Sequence, residues 1–316
     1  MKILFTCVGR RVELVQMFRN ASQKCNVDLM IYGTDIVESA PALFFCDEKR
    51  IVPKIKNEAY IPTLLEICRS EKIDVLIPTI DTDLPLLAQN KALFEKIGTC
   101  VMVNTLDKIE VCRDKRMTAA YFHSVGLMSP MPCDDVSRYD GGFPAFIKPK
   151  DGSSSMYAYK VNHEAELREL SARVPNYIIQ PFIDGVEYTV DVFCDFDGSP
   201  IYITPRVRLE VRSGEVLKTE IVQDQKIIDE IQQLLKDYRP CGAITVQLIR
   251  EKGSGDDYYI EINPRFGGGA PLSMMAGANS AEAMLNLLSG QTMGYIDGAA
   301  EHGAIYSRFD QCVRVK

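Results

Sequence analysis

The chain has 316 residues, of which 46% are hydrophobic, and its 36 basic and 43 acidic residues give a net charge of −7. That length and composition suit two or three domains with real hydrophobic cores, which excludes an intrinsically disordered chain. The acidic balance and the lack of a basic block in the sequence argue against a nucleic-acid-binding surface as the main purpose.

Two further sequence features bear on compartment and on metal chemistry. The first apolar run, KILFTCV, is too short for a secretory signal, and no later run has the length that spans a bilayer, so we expect a cytoplasmic protein without a membrane partner. The ten cysteines are scattered without a CxxC pair, which favours reduced, buried side chains over a disulfide framework. The three isolated histidines argue against a zinc site.

The first hundred residues alternate short apolar runs with helical patterns. Strands are predicted at 2–8, 28–35, 74–81 and 99–104, and helices from Arg11, near 59–70 and from Thr82. This βαβ series predicts a parallel sheet whose ligands gather at the carboxyl ends of the strands. None of the loops matches the GxGxxG or P-loop pattern, so the sequence predicts no dinucleotide or Walker-type site.

Polar residues follow three of these strands, and those in two of the three loops have two interpretations each. Asp81 or Asp83 either caps the next helix or contacts a substrate. Arg10 and Arg11 lie where the first strand gives way to a helix N-terminus, which suits an anion, but arginines at such positions are also found as solvated surface. Because ligands gather at the carboxyl ends of parallel strands, the candidate substrate residues here are Gly9, Arg10, Asp35 and Asp81.

The second half has a different pattern of predicted helices and strands. The pattern from about 106 to 135 is helical and ends in the connector SPMPCDD. Longer strands of antiparallel style are then predicted at 144–150, 156–161, 176–183, 187–195, 200–211, 216–222, 243–251 and 257–263, with helices near 224–236 and 280–289. An α+β half therefore follows an α/β half, and no internal repeat is visible.

Several polar side chains interrupt these predicted strands. Lys148 lies in an apolar strand before the turn Asp151-Gly152-Ser153-Ser154-Ser155. It is either a strand-edge lysine or, beside the free backbone N–H groups of a Gly/Ser loop, a clamp for phosphate oxygens.

The run IEINPR at 260–265 places a carboxylate, an amide and a guanidinium at alternate positions. Glu261, Asn263 and Arg265 would share one face of a strand, which would be costly if that face were core. Gln247 lies in a strand predicted to be the neighbour of this one. Oxygen atoms of this kind suit a hard cation such as Mg²⁺, which completes its octahedron with phosphate and water.

Five segments occur in the order and spacing of the ATP-grasp superfamily: RDK at 113–115, the lysine and loop at 148–155, QPFIDGVEYTVD at 180–191, Gln247, and EINPR at 261–265. Over nearly its whole length the chain resembles this superfamily, and it is most similar to ligases that resemble one synthetase unit of the carbamoyl-phosphate synthase large subunit, including small amino-acid ligases. The E-x-N-P-R run is the specific part of the resemblance.

The resemblance implies the fold and its domains. An α/β, Rossmann-like pre-ATP-grasp domain at 1–105 would be followed by an α+β ATP-grasp fold whose two subdomains clasp the nucleotide. The small subdomain with its helical lead-in would cover 106–185, and the large C-terminal subdomain 186–316.

The resemblance also implies a nucleotide site. Lys115 and Lys148 match the basic residues that contact the phosphates, with Lys148 also near the adenine. Gln180 stands where many relatives have Glu, in the hinge that holds the adenine edge, and Glu187 matches the acid that binds the ribose hydroxyls. The ATP-binding set is completed by Ser153, Ser154, Ser155, Phe182 and Ile183.

Metal and catalytic roles follow from the same resemblance. Gln247, Glu261 and Asn263 match the Mg²⁺ ligands, and Glu261 would bridge two ions, with Mn²⁺ as an alternative. Arg265 matches the arginine that faces the transferred phosphoryl group. The implied reaction converts a small-molecule carboxylate to an acyl phosphate with ATP and couples it to an amine, without a nucleophilic side chain.

The substrates and the assembly are less specified. The segment 206–214, with Arg206, Arg208 and Arg212, is either a lid and carboxylate clamp or a solvated strand face of alternating charge. Dimers are common among similar enzymes, so a homodimer is one expected assembly. Two other functions stay open: a split carbamoyl-phosphate-synthase-like subunit acting on bicarbonate or carbamate, and a non-catalytic ATP-binding sensor.

Overall fold

A five-stranded parallel sheet forms the first part of the protein, whose computed structural model describes residues 1–152 and 157–316. Its strands are β1 (Lys2–Thr6), β2 (Met30–Asp35), β3 (Glu48–Ile51), β4 (Val75–Pro78) and β5 (Cys100–Val101), in the order β3-β2-β1-β4-β5. Its helices are α1 (Val12–Lys24), α2 (Tyr60–Glu71) and α3 (Leu84–Glu95), and a 3₁₀ turn spans Pro41–Phe45. The predicted βαβ series is confirmed.

Both faces of this sheet are covered by apolar side chains. On β1, Ile3 and Phe5 pack in one hydrophobic cluster and Leu4 in another, and all three are fully buried. Continuous apolar strands of this kind fit a sheet that has helices on both faces. The edge strand β3 has the sequence EKRI and was not predicted, because charged edge strands lack the apolar pattern of central ones.

A three-stranded antiparallel sheet follows two short helices, α4 (Leu106–Arg113) and α5 (Lys115–Ser124). Its strands are β6 (Ala145–Pro149), β7 (Tyr159–Val161) and β8 (Tyr177–Pro181), in the order β7-β6-β8. The helix α6 (Glu164–Ser171) lies between β7 and β8 and was not predicted. With eight residues it is shorter than the window of about 11–18 residues over which a helical period is recognised.

The largest sheet has six antiparallel strands in the order β13-β12-β9-β10-β11-β14. The strands are β9 (Gly185–Cys194), β10 (Pro200–Arg212), β11 (Glu215–Ile221), β12 (Ala243–Glu251), β13 (Asp257–Asn263) and β14 (Ile305–Ser307). The helices are α7 (Gln225–Tyr238), α8 (Ala270–Met275) and α9 (Ser280–Leu288). The predicted antiparallel α+β half is thus confirmed, with α8 and β14 as additions.

The two faces of the six-stranded sheet differ in chemistry. One face packs against α7 in an apolar cluster that includes Val190, Val246 and Leu248. Phe122 of α5 joins this cluster, with its ring 5.3 Å from that of Tyr259. The lead-in helix therefore rests on the large sheet, while the proposed division of the chain at 105 and 185 stays a prediction.

The other face of the large sheet is fixed relative to the first sheet by a row of aromatic rings. The ring centroids of Phe5 and Phe18 are 5.1 Å apart, those of Phe18 and Phe266 6.0 Å, and those of Phe193 and Phe266 6.2 Å. These rings belong to one buried cluster that draws from both halves of the chain. The carboxyl-end loops of the first sheet are thereby held close to the large sheet.

The longest helix in the described part of the chain is α7, with fourteen residues. A helix needs about 20 apolar residues to cross a bilayer. None of the helices in the two described ranges is long and apolar enough to do so.

Candidate active site

A bulge in β13 places the polar residues of IEINPR on one face of the sheet. The pairing with β12 shifts between Tyr259 and Glu261, so Ile260 is the extra residue. Tyr259 and Ile262 are both buried in the α7 cluster although they are three positions apart. Glu261 and Asn263 therefore both face the opposite side.

Hydrogen bonds link the three alternating polar side chains. Asn263 Nδ2 donates to Glu261 Oε1 at 3.0 Å, and Arg265 Nη2 donates to Asn263 Oδ1 at 3.1 Å. Arg265 Nη1 also donates to the Phe266 carbonyl at 3.2 Å, and only 12% of the Arg265 side chain is exposed. The row is thus pre-arranged, with a carboxylate at one end and a guanidinium at the other.

Gln247 lies directly opposite Glu261 on β12, as the predicted strand pairing requires. Its Oε1 accepts a hydrogen bond of 3.1 Å from Arg208 Nη1. Arg208 Nε lies 3.6 Å from a carboxylate oxygen of Glu187, and burial lowers the pKa of Arg208 while Glu187 opposes that shift. The Gln247 oxygen predicted to hold a metal is therefore engaged by a guanidinium, which a bound cation would replace.

Lys148 reaches the same region from β6. It is 9% exposed, and burial, together with the charge of Lys115, lowers the pKa of Lys148 to about 8, while Glu261 acts in the opposite direction. Its Nζ lies 5.6 Å from the centre of the Phe146 ring, and Lys115 Nζ donates to the Gly152 carbonyl at 3.0 Å. Two lysines and one carboxylate thus lie close enough to influence each other, and an anion would relieve the repulsion between the lysines.

The segment predicted to hold the adenine is the end of β8 and its continuation. The Gln180 side-chain amide donates to the Pro130 carbonyl and is 5% exposed. The Phe182 N–H donates to the Pro144 carbonyl at 3.1 Å, so this backbone group is already engaged. The next residue, Ile183, is half-buried and lies beyond the end of the strand.

Most of the predicted phosphate loop lies outside the residues that the structure describes. Ser153, Ser154 and Ser155 lie outside the described residues. Their phosphate-binding role therefore stays a prediction.

Loops of the first sheet contact this polar face. Arg265 Nη2 lies 2.6 Å from Asp81 Oδ2. Arg11 Nη2 donates to the Thr79 carbonyl at 3.1 Å, and burial, with the nearby Arg265 charge, lowers the pKa of Arg11 to about 10. The β4–α3 loop and the β1–α1 loop therefore both reach the arginine of the IEINPR run.

Buried polar atoms without a hydrogen-bond partner concentrate where these elements meet. Such atoms cost free energy, on the order of 1–3 kcal/mol each, unless a ligand or water satisfies them. Among the described residues, four of the seven such side-chain atoms belong to this junction: Asp81 Oδ1, Arg206 Nη1, Arg208 Nε and Arg265 Nε.

Other predicted substrate residues have contacts of their own. The Gly9 N–H donates to Asp35 Oδ2 at 2.9 Å, and the Ile36 N–H donates to Asp35 Oδ1 at 2.8 Å, so this carboxylate fixes two backbone turns. The Arg10 side chain is 81% exposed and lies 3.5 Å from Asp310. Gly9 and Asp35 thus shape the loop, and Arg10 pairs with the C-terminal segment.

Arg206 is buried in an ion pair. Its Nε donates to Asp191 Oδ2 at 2.8 Å, and Ser273 Oγ donates to the same oxygen at 2.7 Å. The Arg206 residue is 2% exposed. Asp191 and Ser273 were not singled out from the sequence, although Asp191 shares a strand face with Glu187 in the VEYTVD run.

Asp83 is fully buried in a polar cluster that the sequence did not reveal. It takes the N-cap position of α3 without a side-chain capping bond. Its Oδ2 accepts from Thr6 Oγ1 at 2.7 Å and from Tyr60 Oη at 3.1 Å, and Cys7 Sγ lies 3.8 Å away. Burial raises the pKa of Asp83 to about 6, although these hydrogen bonds oppose the shift.

The three glycines after IEINPRF are explained by close polar neighbours. A Cβ added at Gly267 would lie 2.6 Å from Thr245 Oγ1, one at Gly268 would lie 2.9 Å from an Arg11 guanidinium nitrogen, and one at Gly269 would lie 2.5 Å from an Arg206 guanidinium nitrogen. The glycines allow these side chains to approach the backbone.

Comparisons with known proteins agree with this architecture. Residues 3–102 match the family described as "PylC-like, N-terminal domain", and residues 173–309 match the family described as "ATP-grasp in the biosynthetic pathway with Ter operon". The biotin carboxylase domain of the Hydrogenobacter thermophilus 2-oxoglutarate carboxylase, crystallised as a dimer with MgADP, ADP and bicarbonate, superposes with a TM-score of 0.74 at 15% identity. That match covers 96% of this chain and 73% of the other, and it shows a shared fold.

Two curated proteins are similar in sequence. The 3-methyl-D-ornithine--L-lysine ligase of Methanosarcina mazei is 24% identical over 223 residues, which cover 70% of this chain and 57% of that protein. The N-terminal section of the carbamoyl phosphate synthase large chain of Aquifex aeolicus is 24% identical over 298 residues, which cover 83% of this chain and 52% of that protein. The chain thus spans little more than half the length of these two relatives.

Proposed function

We propose that this chain, which joins a PylC-like N-terminal domain to an ATP-grasp domain, is an ADP-forming ligase that activates a small carboxylate with ATP and Mg²⁺ and couples it to an amine. The observation that carries the proposal is the convergence of Lys148, Glu261 and Arg265 on one polar face lined by unpaired buried polar atoms. The names of the two curated relatives support the reaction class.

The donor set fits magnesium. Gln247, Glu261 and Asn263 offer only oxygen ligands, which a hard cation prefers. The described residues contain no group of three or more His, Cys, Asp or Glu side chains that could hold a metal. With a single carboxylate, the site would depend on phosphate oxygens to complete the shell, so metal and nucleotide would bind together. Two Mg²⁺ ions, or Mn²⁺ in their place, would neutralise phosphate charge when bound.

The nucleotide would lie between the three-stranded and six-stranded sheets. Phe146 and Phe182, whose ring centroids are 6.3 Å apart, offer an apolar wall for the adenine. Lys115 and Lys148 would hold phosphate oxygens, with Ser153–Ser155 completing that cradle. Glu187, half of whose side chain is exposed, would accept the ribose hydroxyls.

Phosphoryl transfer depends on positioning and charge neutralisation. A substrate carboxylate oxygen would form a bond to the γ-phosphorus as the bond to the ADP oxygen breaks. Arg265 would stabilise the charge on the transferred group, and Asp81, at 2.6 Å, would fix the orientation of the Arg265 guanidinium. The amine would then attack the acyl carbon, releasing phosphate and giving an amide.

Hydroxamate trapping tests the proposal. The protein is incubated with Mg·ATP, hydroxylamine and pooled carboxylic and amino acids, and ADP and hydroxamates are measured by mass spectrometry. We expect ADP together with a hydroxamate whose mass names the carboxylate. ADP formation that requires bicarbonate and gives no hydroxamate would replace the proposal with a bicarbonate-dependent reaction.

If the protein binds ATP but forms no ADP with any substrate pool, the proposal of catalysis is wrong and the chain is a nucleotide sensor.

The oligomeric state is checked separately by light scattering. A homodimer is expected, because the Hydrogenobacter thermophilus domain was crystallised as a dimer.

A further inference from the structure

A second cleft, of about 330 Å³, lies where three distant segments of the chain meet. Small-molecule sites have volumes of about 300–1,000 Å³. The β1–α1 loop contributes Arg10, the β10–β11 hairpin contributes Arg212 and Glu215, and the C-terminal segment contributes Phe309 and Asp310. Neither the nucleotide residues nor the proposed metal ligands line this cleft.

One carboxylate in the cleft lies between two guanidinium groups. Arg212 Nη2 donates to both carboxylate oxygens of Asp310, at 3.1 and 3.2 Å, and Arg10 Nη2 lies 3.5 Å from one of them. Charge-assisted hydrogen bonds from guanidinium groups are how arginine recognises carboxylates. Since these side chains are 57% to 81% exposed, the contact is weak and an external carboxylate could replace Asp310.

The cleft also offers a carboxylate that can accept hydrogen bonds from an ammonium group. The Glu215 side chain is 62% exposed, and its only ion-pair partner in the described chain, Arg308, lies 3.4 Å away. Arg308 is itself committed to Glu13 at 3.0 Å and to the Val216 carbonyl at 3.2 Å. The Glu215 carboxylate therefore keeps capacity to accept an ammonium group.

The cleft lies close to the proposed phosphoryl-transfer site. A Cβ at Gly268 would lie 2.9 Å from an Arg11 guanidinium nitrogen and 3.8 Å from the Glu215 carboxylate. The Arg11 side chain also responds to the charges of Arg265 and Arg308. Arg11 therefore lies near Arg265 of the proposed phosphoryl-transfer site and near Glu215 and Arg308 of the cleft.

We propose that this cleft binds an amino acid through its carboxylate and ammonium groups, and that Asp310 occupies the carboxylate position in its absence. Arg10 and Arg212 bind the ligand carboxylate, Glu215 accepts from the ammonium, and Phe309 and Leu217 cover the apolar part. We also infer that this amino acid is a substrate of the ligase, and this part alone rests on the proposed function.

The test is a binding measurement on the full chain without nucleotide. Acetate, methylammonium and glycine are titrated into isotope-labelled protein, and NMR signals of the arginine guanidinium groups are followed. Asp310→Ala should bind acetate about two- to fivefold more tightly than wild type, because an exposed ion pair no longer competes. Adding Arg212→Ala to Asp310→Ala should abolish that binding.

Arg138→Ala is the matched control, since this arginine is 70% exposed and pairs with aspartates on another surface. It should leave acetate binding unchanged. Glycine should bind Asp310→Ala more tightly than acetate does, and Glu215→Gln should remove that advantage. Methylammonium alone should bind more weakly than glycine.

Two results would overturn the proposal. If acetate affinity is the same in wild type, Asp310→Ala and the double variant, the arginine pair is not a carboxylate site. If glycine and acetate bind equally, the ammonium part is wrong. Because no ATP is present, these outcomes are independent of hydroxamate formation, so the cleft and the ligase function can fail separately.

Discussion

The two faces of the six-stranded sheet show how one element separates stability from function. Toward α7, Val190, Val246 and Leu248 are at most 1% exposed and form a continuous apolar cluster. On the opposite face, Glu261 and Gln247 face each other across neighbouring strands, surrounded by charges. Burial of apolar area stabilises the first face, whereas the second keeps polar atoms without protein partners.

The polar face is itself divided in two. Toward Phe266, the Asp191–Arg206 pair is buried and Ser273 completes the hydrogen bonding of Asp191. Farther along β10, Arg208 reaches Gln247 and the half-exposed Glu187. Loss of one member of a buried ion pair costs far more stability than loss of an accessible group. Removal of either partner of the Asp191–Arg206 pair would therefore destabilise the fold, and location on the polar face alone does not make a residue a ligand contact.

The largest effect is expected from Glu261→Gln. This change keeps the shape and the hydrogen bond from Asn263 but removes the only carboxylate of the proposed metal set. ADP formation with the carboxylate found by trapping should fall by about 10³-fold or more, while the melting temperature stays within about 2 °C of wild type. Quenched-flow or coupled ADP assays and calorimetry measure the two quantities.

Glu95→Gln is the matched control for Glu261→Gln. Glu95 is exposed at the end of α3, far along the chain from the polar face, and its substitution should change neither activity nor stability. Activity in Glu261→Gln equal to that of the control would remove Glu261 from the metal set. A large loss of stability in Glu261→Gln would instead assign the polar row a structural role.

Leu248→Ala on the apolar face is expected to lower stability and to leave nucleotide binding intact, the reverse of Glu261→Gln. Leu248 is 1% exposed, and its truncation should lower the free energy of unfolding by about 3 kcal/mol. The affinity of the folded protein for Mg·ATP should remain within about twofold of wild type. Denaturant unfolding and calorimetric titration test this, with Leu93→Ala, which is 43% exposed in wild type, as the control.

A drop in Mg·ATP affinity in Leu248→Ala at a temperature where the protein is folded would contradict the separation of the two faces. It would mean that packing under β12 positions Gln247 on the other side. The Leu93 control should lose less than about 0.5 kcal/mol, as surface substitutions usually do.

The sequence predicted this sheet well where its signals were local. Alternation in IEINPR indicated that Glu261, Asn263 and Arg265 share a face, and the hydrogen bonds between them agree. The bulge at Ile260 was not predictable, since it is defined by pairing with β12. Without the bulge, Tyr259 and Glu261 would have faced the same side.

Contacts between distant segments could not be predicted from the sequence. Asp81 could be interpreted as a helix cap or as a substrate contact, and its partner Arg265 lies 184 positions away. Asp83 meets Tyr60 and Thr6 only because β1, α2 and α3 come together at one sheet edge. Such pairings depend on tertiary packing, and no spacing in the chain encodes them.

At position 180 the resemblance leads to the expectation of a glutamate, and this chain has a glutamine. Its side-chain amide donates to the Pro130 carbonyl and is 5% exposed. An ionised glutamate could not donate and would place two acceptors together in a buried site. The amide at this position is therefore tied to the local packing of the 129–135 connector.

The smallest effect concerns Lys148, which reaches the polar face from the neighbouring sheet. Because burial lowers its pKa from the usual 10.5 to about 8, the free protein loses this proton between about pH 7 and pH 9. Bound ATP favours the charged lysine, so affinity is highest below pH 8, and the Kd for Mg·ATP should be about tenfold larger at pH 9 than at pH 7. Lys148→Arg stays charged throughout and should show nearly equal Kd values at the two pH values. Calorimetric titration gives all four dissociation constants. A wild-type Kd that does not change with pH would show that the charge of Lys148 does not contribute to nucleotide binding. The polar face of the large sheet would then hold the phosphates without this lysine.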